Sequence, residues 1–283
     1  MRLASFFLQG EATYGMVSDA GLHPVSGDVR AAFPTLLNYL THHPAEELAS
    51  ACDAEINADS VTWLPPIPEP GKIICAGMNY RKPYPVEGVP PPDPGNTVLF
   101  ARHPETLVAH NAELEYPLGS AAETFDFEGE IVAVIGKPGR HIAADQAMQH
   151  ILGYSAMNEG SVRGWMKHSV HAGKNFHASG SWGPWITTCD EAGEIPEMRL
   201  ETKVNGTLMQ SALGSEMIFG LPELISYISE LLPLKTGDII ATGSPDGTGG
   251  SRTPPAFLRP GDTVEISVSG VGTLRNRVAD RRP

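Results

Sequence analysis

The stretch 125–136 constrains the fold of this chain more than any other segment. Its second half, 131–135, is a short apolar, mostly β-branched run followed by a glycine, which predicts a strand buried on both faces. Carboxylates stand at alternate positions immediately before this run, at Asp126, Glu128 and Glu130. Because side chains alternate along a strand, we expect all three to point the same way.

Three like charges at the mouth of a buried strand repel one another and resist removal from water. A divalent cation at this point resolves both problems. The alternative interpretation is a solvated strand end, which is the usual meaning of alternating acidic residues. The apolar run begins immediately after Glu130, and this favours the metal. Carboxylate ligands suit hard cations, so the predicted metal is Mg²⁺ or Mn²⁺.

Size and charge restrict the class of protein. The chain has 283 residues, of which 41% are hydrophobic and 19% charged, as in a globular protein with a full core. Its formal net charge of -13 argues against a surface for nucleic acid or an anionic membrane. The chain shows neither a membrane-spanning apolar run nor a secretory signal. Three cysteines without a Cys-x-x-Cys pair fit a reducing compartment, so we expect a cytoplasmic protein.

The order of predicted elements indicates an α+β, β-rich protein in two parts. The first part is a small antiparallel meander followed by two helices, one starting near Asp28 and one over 45–54. A Pro-rich segment, 63–71, is the predicted linker because proline is stiff and cannot donate to a sheet. We therefore predict a small N-terminal domain over 1–66 and a larger domain over 67–283.

Strands dominate the chain from residue 183 onward. They include a hairpin with the favoured turn pair Asn205 and Gly206. One helix, 222–232, is predicted from the proline in its first turn. Another short helix is predicted over 161–168, with Ser161 as its N-cap.

Glycines crowd in the segment 242–250. It does not match a phosphate loop, because it has no lysine and the pair Pro254 and Pro255 prevents a following helix. Two interpretations remain open. The segment is a flexible turn, or it is a backbone-amide cradle for a small carboxylate, contacted through Thr242 and Gly243.

Three histidines, His168, His171 and His177, flank Lys174. Clustered histidines are compatible with a metal site, yet no spacing here completes a zinc ligand set. Residue type alone favours surface or packing roles for these histidines.

Several segments that follow one another in a fixed order carry the most information about the family. They are 73–81, 126–136, 153–154 with Asn158, 173–174, 183–185, 204–206, 217–219, 224–229 and 237–245. In this order they resemble the fumarylacetoacetate hydrolase (FAH) superfamily, from about residue 72 to the C-terminus. The resemblance implies a FAH-type mixed β-roll around one divalent cation, usually in a homodimer, and the small N-terminal domain fits it.

The resemblance also implies roles for individual residues. It places the metal ligands at Glu128, Glu130 and Glu159, although the family usually has Asp at the third position. Lys174 matches the active-site lysine of the family. The remaining residues that it implies at the substrate are Tyr80, Arg163, Thr242 and Gly243.

Three departures from the family pattern bear on the activation of water. Pro83 occupies the position of the lid histidine, and Glu87 is only an approximate partner. The acid that normally follows Arg163 is lost, and an Asp expected beyond Lys174 is replaced, with His177 close by. The predicted bases are therefore His171, His177 or Glu87.

The predicted activity is metal-dependent hydrolysis of a carbon–carbon bond in an acylpyruvate-type diketo acid, such as fumarylpyruvate or maleylpyruvate, from aromatic ring cleavage. The metal and Lys174 balance the charge of the α-keto carboxylate, and a Lewis acid stabilises the enolate that cleavage leaves. One alternative is a decarboxylase, hydratase or isomerase that uses the same enolate without attacking water. The other is a metal-binding protein that has lost catalysis.

Overall fold

The computed structural model describes residues 1–81 and 93–280. The strands in these two ranges are, in chain order, β1 (Arg2–Leu8), β2 (Glu11–Val17), β3 (Leu22–Pro24), β4 (Thr62–Trp63), β5 (Ile73–Gly77), β6 (Val98–Ala101), β7 (Leu107–Val108), β8 (Glu113–Leu114), β9 (Phe125–Asp126), β10 (Gly129–Ile135), β11 (Ile151–Asn158), β12 (Ser161–Val162), β13 (Gly180–Thr188), β14 (Arg199–Val204), β15 (Thr207–Leu213), β16 (Ile239–Ala241), β17 (Thr263–Val268) and β18 (Gly272–Val278). The α-helices are α1 (Gly27–Ala32), α2 (Leu36–His42), α3 (Val170–Lys174), α4 (Cys189–Ala192) and α5 (Leu221–Leu231).

The strands form two large sheets and one short pair. The larger sheet has the order β3-β2-β1-β13-β11-β10-β16-β5-β6, with β4 beside β1 and β7 beside β13. The other has the order β15-β14-β17-β18-β8, and β9 pairs with β12. Most neighbours are antiparallel, but three pairs are parallel in the described ranges: β16 with β5, β13 with β7 and β18 with β8. This mixed, strand-rich arrangement confirms the predicted α+β, β-rich fold.

Strand β10 is buried along its whole length and lies between β11 and β16. Its side chains alternate between two hydrophobic clusters. Ile131, Ala133 and Ile135 belong to one cluster, and Val132 and Val134 belong to the other. The prediction of a strand buried on both faces is confirmed.

Residues 1–66 continue the larger sheet, because β1 pairs with β13. Leu3 and Tyr14 pack in the same hydrophobic cluster as Val132 of β10. The first part of the chain therefore shares a sheet and a core with the rest. The division at 66/67 stays a prediction.

Local chemistry explains several elements. Asn205 and Gly206 have φ of +50° and +78°, the left-handed values that a tight hairpin turn requires, and they join β14 to β15 as predicted. The helix predicted over 222–232 is α5. The helix predicted from Asp28 onward is divided into α1 and α2, because Pro34 disfavours a helical conformation at the preceding residue.

Two predictions near the acidic stretch are wrong. The predicted helix over 161–168 begins instead as strand β12, where Ser161 lies opposite Asp126. The Ser161 hydroxyl donates to the Glu159 carbonyl at 2.9 Å and caps no helix. The acidic stretch is not one strand either, because β9 ends at Asp126 and β10 begins at Gly129.

The longest α-helix in the described ranges is α5, with 11 residues. None of the helices there has the length and apolar character needed to cross a membrane. The predicted homodimer and cytoplasmic location stay predictions.

Candidate active site

Three buried glutamates meet where β10 and β11 pair. Glu128 and Glu130 flank Gly129 at the start of β10, and Glu159 follows the last residue of β11. Gly129 lies opposite Asn158 in this ladder, so Glu128 and Glu159 are neighbours across it. One carboxylate oxygen from each of the three glutamates lies within 4.8 Å of the others. The structure thus brings the three predicted metal ligands together.

Backbone groups fix the positions of these glutamates. The Glu159 amide donates to the Glu128 carbonyl at 2.7 Å, and the Glu128 amide donates to Asn158 Oδ1 at 3.1 Å. The Gly243 amide donates to Glu130 Oε2 at 2.9 Å. The cluster is therefore held by the sheet and by the glycine-rich segment together.

Two cations contact the cluster. Lys174 is 3% exposed, and its Nζ lies 2.5 Å from Glu128 Oε2 and 2.6 Å from Glu159 Oε2. Its position at the end of α3 follows from the N-cap at Ser169, whose side chain accepts a hydrogen bond from the first turn. Arg163 Nη1 lies 2.5 Å from Glu128 Oε1.

Asp126 does not point toward the three glutamates, so the expectation that all the alternating acids share one direction is wrong. Its carboxylate accepts hydrogen bonds from the amides of Gly249 and Gly250, at 2.7 and 2.9 Å. It also accepts from Arg163 Nε at 2.7 Å. β9 ends at Asp126, before β10 begins at Gly129, and Asp126 ties the glycine-rich segment to the arginine that contacts Glu128.

The pKa values follow from burial and from these contacts. Burial opposes ionisation of Glu128, but Lys174 and Arg163 outweigh it and lower the pKa of Glu128 to about 2. Burial and the charges of Glu159 and Glu128 raise the pKa of Glu130 well above its ordinary value. Burial alone disfavours a charged Lys174, yet the two neighbouring glutamates raise the pKa of Lys174. Glu130 is thus the carboxylate with the least electrostatic support.

The residues fit a divalent cation. Four carboxylates are buried here, those of Asp126 and the three glutamates. The two cations, Lys174 and Arg163, pair with Asp126, Glu128 and Glu159, and in the described ranges neither of them pairs with Glu130. Two negative charges are left, which is the charge of one divalent ion. Glu159 Oε1 is buried and has no hydrogen-bond partner in the part of the chain that the structure describes. The oxygen donors are of the type that Mg²⁺ and Mn²⁺ prefer.

We expect the protein in excess chelator to lose stability as the pH rises above the ordinary glutamate value of 4.5, because the folded-state pKa of Glu130 is raised. In that window the folded state binds more protons than the unfolded state, so each step up in pH favours unfolding. Glu130→Gln should remove this pH dependence and be more stable than the wild type at pH 7. Melting temperatures measured in chelator between pH 5 and 8 check this, and parallel curves for the two proteins contradict it.

A comparison with known proteins identifies the family. The model of the fumarylacetoacetate (FAA) hydrolase C-terminal family matches residues 72–279. The chain belongs to the fumarylacetoacetate hydrolase superfamily. Oxaloacetate tautomerase YisK of Bacillus subtilis (strain 168) is 35% identical over 255 residues, which cover 89% of this chain and 83% of YisK. The mitochondrial oxaloacetate tautomerase FAHD2B of Bos taurus is 34% identical over 222 residues, 77% of this chain and 69% of the relative.

A solved structure shares the fold over the whole chain. The fumarylacetoacetate hydrolase EaFAH from the psychrophile Exiguobacterium antarcticum aligns with a TM-score of 0.85 and 29% identity, over 99% of this chain and 100% of that one. The predicted membership of the superfamily is confirmed, and the two relatives named above are oxaloacetate tautomerases.

The predicted substrate residues of this superfamily member fall into two groups: those whose polar atoms already bind the protein and those with an unpartnered polar atom in the described ranges. Thr242 Oγ1 donates to the Ile131 carbonyl at 2.9 Å, and the Gly243 amide donates to Glu130, so both donors are already engaged by the protein. Tyr80 is 3% exposed, and its hydroxyl has no hydrogen-bond partner within the described ranges. Arg163 Nη2 is likewise buried without a partner there. Tyr80 and Arg163 are thus the predicted substrate contacts with free polar atoms.

The predicted bases lie apart from the cluster or outside the described residues. His177 Nδ1 lies 2.8 Å from Glu115 Oε2, and the His177 side chain is 71% exposed. His171 is also exposed and contacts Asn175. Within the described ranges, neither histidine makes a hydrogen bond or ion pair with the three glutamates or with Lys174. Glu87 lies outside the described residues, as does Pro83, and the catalytic roles of all three predicted bases stay predictions.

Two buried amides that shape the site were missed. Asn79 Nδ2 donates to the Thr242 carbonyl at 2.8 Å, which fixes the glycine-rich segment beside Tyr80. Gln210 accepts from the Gly129 amide at 2.9 Å and donates to the Pro245 carbonyl at 2.7 Å. Asn79 lies in a segment that carries the family resemblance, so a signal existed for it. Gln210 stands in an ordinary hairpin strand, where nothing in the sequence marks it.

Proposed function

We propose that the chain binds one Mg²⁺ or Mn²⁺ through Glu128, Glu130 and Glu159 and interconverts the keto and enol forms of a small 2-keto acid. Oxaloacetate is the proposed substrate. The observation that carries the proposal is the buried charge set, in which the carboxylates exceed the cations by the charge of one divalent ion. A bound divalent cation supplies a Lewis acid that polarises the keto oxygen. The name of the relative that is 35% identical supports the choice of substrate.

Arg163 and Tyr80 are the groups we assign to substrate binding. Arg163 keeps a buried Nη2 donor free after its contacts with Asp126 and Glu128 are made. An arginine held rigidly by two carboxylates presents this donor in a fixed direction, which suits a substrate carboxylate. The Tyr80 hydroxyl offers a second buried polar contact. Within the described ranges, the Tyr80 hydroxyl and Arg163 Nη2 have no hydrogen-bond partner to give up when substrate binds.

Lys174 is the group we assign to hold and move the proton. In the enol-to-keto direction, the Lys174 ammonium gives its proton to the carbon beside the ketone and takes up the proton of the enol hydroxyl, so the ammonium is restored and no water is consumed. Lys174 is charged at neutral pH, because the two neighbouring glutamates raise its pKa despite burial, and it lies within the carboxylate cluster. A reaction without water needs no base for water, which agrees with the proline at position 83.

The test is the decay of enol-oxaloacetate absorbance in buffer of low intrinsic catalysis, with Mg²⁺, with Mn²⁺ and with excess chelator. We expect the metal-loaded protein to accelerate the decay and the chelator to abolish the acceleration. Lys167→Met is the matched control for Lys174→Met, because Lys167 is exposed in the same region of the chain. Acceleration that is absent in all metal conditions, or equal in the two variants, contradicts the proposal.

Carbon–carbon hydrolysis of an acylpyruvate, such as fumarylpyruvate or maleylpyruvate, is the second candidate. One observation favours it: a cleft of about 430 Å³ opens beside Tyr80 and is lined in part by Ser211, Glu216 and Arg252. This cleft has room beside Tyr80 for the longer carbon chain of an acylpyruvate, although its lining includes none of the three glutamates. Release of pyruvate from acylpyruvates tests the candidate, and pH–rate profiles of His171→Ala and His177→Ala test the predicted bases.

We expect Tyr80→Phe to raise KM for oxaloacetate about 10-fold, the effect of losing one hydrogen bond to a charged group. Its stability should stay close to that of the wild type, since the hydroxyl has no partner in the described part of the chain. Steady-state kinetics and thermal unfolding check the two effects separately. A marked loss of stability with unchanged KM shows instead that the hydroxyl serves the fold.

A further inference from the structure

Arg102 is a buried arginine directly after β6. It is 3% exposed, and its guanidinium donates to four acceptors, all of them uncharged. Nε lies 3.1 Å from Thr106 Oγ1, and Nη1 lies 3.0 Å from the Gly160 carbonyl. Nη2 lies 3.1 Å from Ser179 Oγ and 3.5 Å from the Thr106 carbonyl.

This set of partners sets Arg102 apart from the other cations in the interior. Lys72, Arg163 and Lys174 each lie within ion-pair distance of a carboxylate. Arg102 has no such partner among the residues of 1–81 and 93–280. Burying a charge is costly, and for Arg102 the cost is offset by hydrogen bonds to uncharged acceptors instead of by a carboxylate. The segments that carry these acceptors are the ones that Arg102 holds together.

The hydrogen bond to Gly160 reaches the turn that carries Glu159. In this turn the Gly160 amide donates to the Asn158 carbonyl at 2.9 Å, and Ser161 Oγ donates to the Glu159 carbonyl at 2.9 Å. A Cβ at Gly160 would lie 1.7 Å from the Ser179 carbonyl oxygen, so the turn packs tightly against the backbone at Ser179, just before β13. Arg102 joins the same two segments, because its guanidinium donates to the Gly160 carbonyl and to the Ser179 hydroxyl.

We infer that Arg102 is a positioning residue for Glu159: it fixes the Gly160 carbonyl and thereby aims the Glu159 carboxylate at Glu128 and Glu130. The inference rests on the proposed metal site, of which Glu159 is one ligand. Groups that hydrogen-bond to metal ligands and orient them have a strong effect on metal affinity. Within the described residues, Arg102 makes no hydrogen bond or ion pair with the side chain of a proposed metal ligand, so we expect it to act through the turn.

Charge and position predict opposite effects when Arg102 is removed. A positive charge near a cation site repels the cation, so its removal tightens metal binding if charge is all that Arg102 contributes. If Arg102 positions Glu159, its removal weakens metal binding. Mn²⁺ affinity therefore separates the two roles.

The experiment measures Mn²⁺ binding by titration calorimetry for the wild type, Arg102→Met, Arg102→Lys and Ser179→Ala. We expect Arg102→Met to raise the Kd about 10- to 100-fold. Arg102→Lys keeps a donor for the Gly160 carbonyl and should recover most of this loss. Ser179→Ala leaves that hydrogen bond in place and should bind Mn²⁺ like the wild type. The Mn²⁺ electron paramagnetic resonance spectrum at saturation should change in Arg102→Met, because the ligand geometry changes.

Melting temperatures in chelator identify variants that do not fold, and Arg102→Gln then replaces Arg102→Met with the same expected loss. Wild-type affinity or tighter binding in the variant without the arginine overturns the inference. A wild-type protein that binds no Mn²⁺ overturns the proposed metal site and this inference together. The two failures are thus distinguishable.

Discussion

Lys174→Met is expected to lower kcat/KM for oxaloacetate by about 10²- to 10⁴-fold, the range for removing a group that transfers a proton. Lys174 is the one residue assigned to proton transfer, and its ammonium lies between Glu128 and Glu159. Methionine has a similar length and fits the buried position, so the loss reports the ammonium rather than the packing. Enol decay in the presence of saturating Mn²⁺ measures the effect.

The same substitution should destabilise the protein in chelator by about 3–5 kcal/mol, because it leaves a buried carboxylate without its cation. The raised pKa of Lys174 means that its contribution is complete below the ordinary lysine value and is lost only as the pH rises through the raised value. The depressed pKa of Glu128, about 2 against an ordinary 4.5, acts in the opposite direction: its contribution is lost as the pH falls below 4.5. The gap between variant and wild type should therefore be full at pH 7 and narrow in acid.

Lys167→Met is the control for both effects, since Lys167 is exposed and has no role in the proposed site. It should match the wild type in kinetics and in melting temperature. Near-normal turnover in Lys174→Met, with the control behaving as expected, removes Lys174 from the proposed proton transfer.

Glu159→Gln is expected to weaken Mn²⁺ binding by more than about 100-fold. This is a larger effect than that expected for Arg102, which orients a ligand without binding the metal. Glutamine preserves the size of the side chain but removes the charge, and its amide nitrogen is not a metal ligand. Glu159 is 1% exposed and also pairs with Lys174 through Oε2, so Mn²⁺ affinity, rather than stability, reports its role as a ligand. Calorimetry with Mn²⁺ and Mg²⁺ measures the loss.

Two companions sharpen this prediction. Glu159→Asp restores the residue type that the family resemblance implies at this position, and it should bind Mn²⁺ far better than Glu159→Gln. Glu197→Gln changes an exposed glutamate and should leave the affinity unchanged. Equal Mn²⁺ affinity in Glu159→Gln and Glu197→Gln shows that the ion, if bound, lies elsewhere.

Local sequence determined the parts of the fold that could be predicted. β10 follows from an apolar, mostly β-branched run that ends at a glycine, and the β14–β15 hairpin follows from Asn205 and Gly206. The predicted helix over 161–168 was wrong because Ser161 pairs with Asp126, a contact between segments far apart in the chain. A local pattern carries no information about such a partner.

The candidate site also has a part that could be predicted from the sequence and a part that could not. Alternation in the acidic stretch placed Glu128 and Glu130 on one face, while Glu159 and Lys174 came from family resemblance. The direction of Asp126 could not be predicted, because it depends on amides more than a hundred residues away, in Gly249 and Gly250. Every residue except proline has a backbone amide, so residue types do not show which amides a carboxylate binds.

The pairing of β1 with β13 also governs how the chain reaches its fold. Arg2 lies opposite Thr187, so this contact closes a loop that contains more than half of the chain. Contacts of such long range are slow to form, and folding slows as they accumulate. During synthesis, the start of β1, at Arg2 and Leu3, lacks its β13 partner until β13 has left the ribosome, whereas Phe6 and Phe7 pair with the earlier β4. An unpaired edge invites aggregation. The Gly243 amide that donates to Glu130 lies still farther along the chain than β13, so this hydrogen bond needs more of the chain to be made.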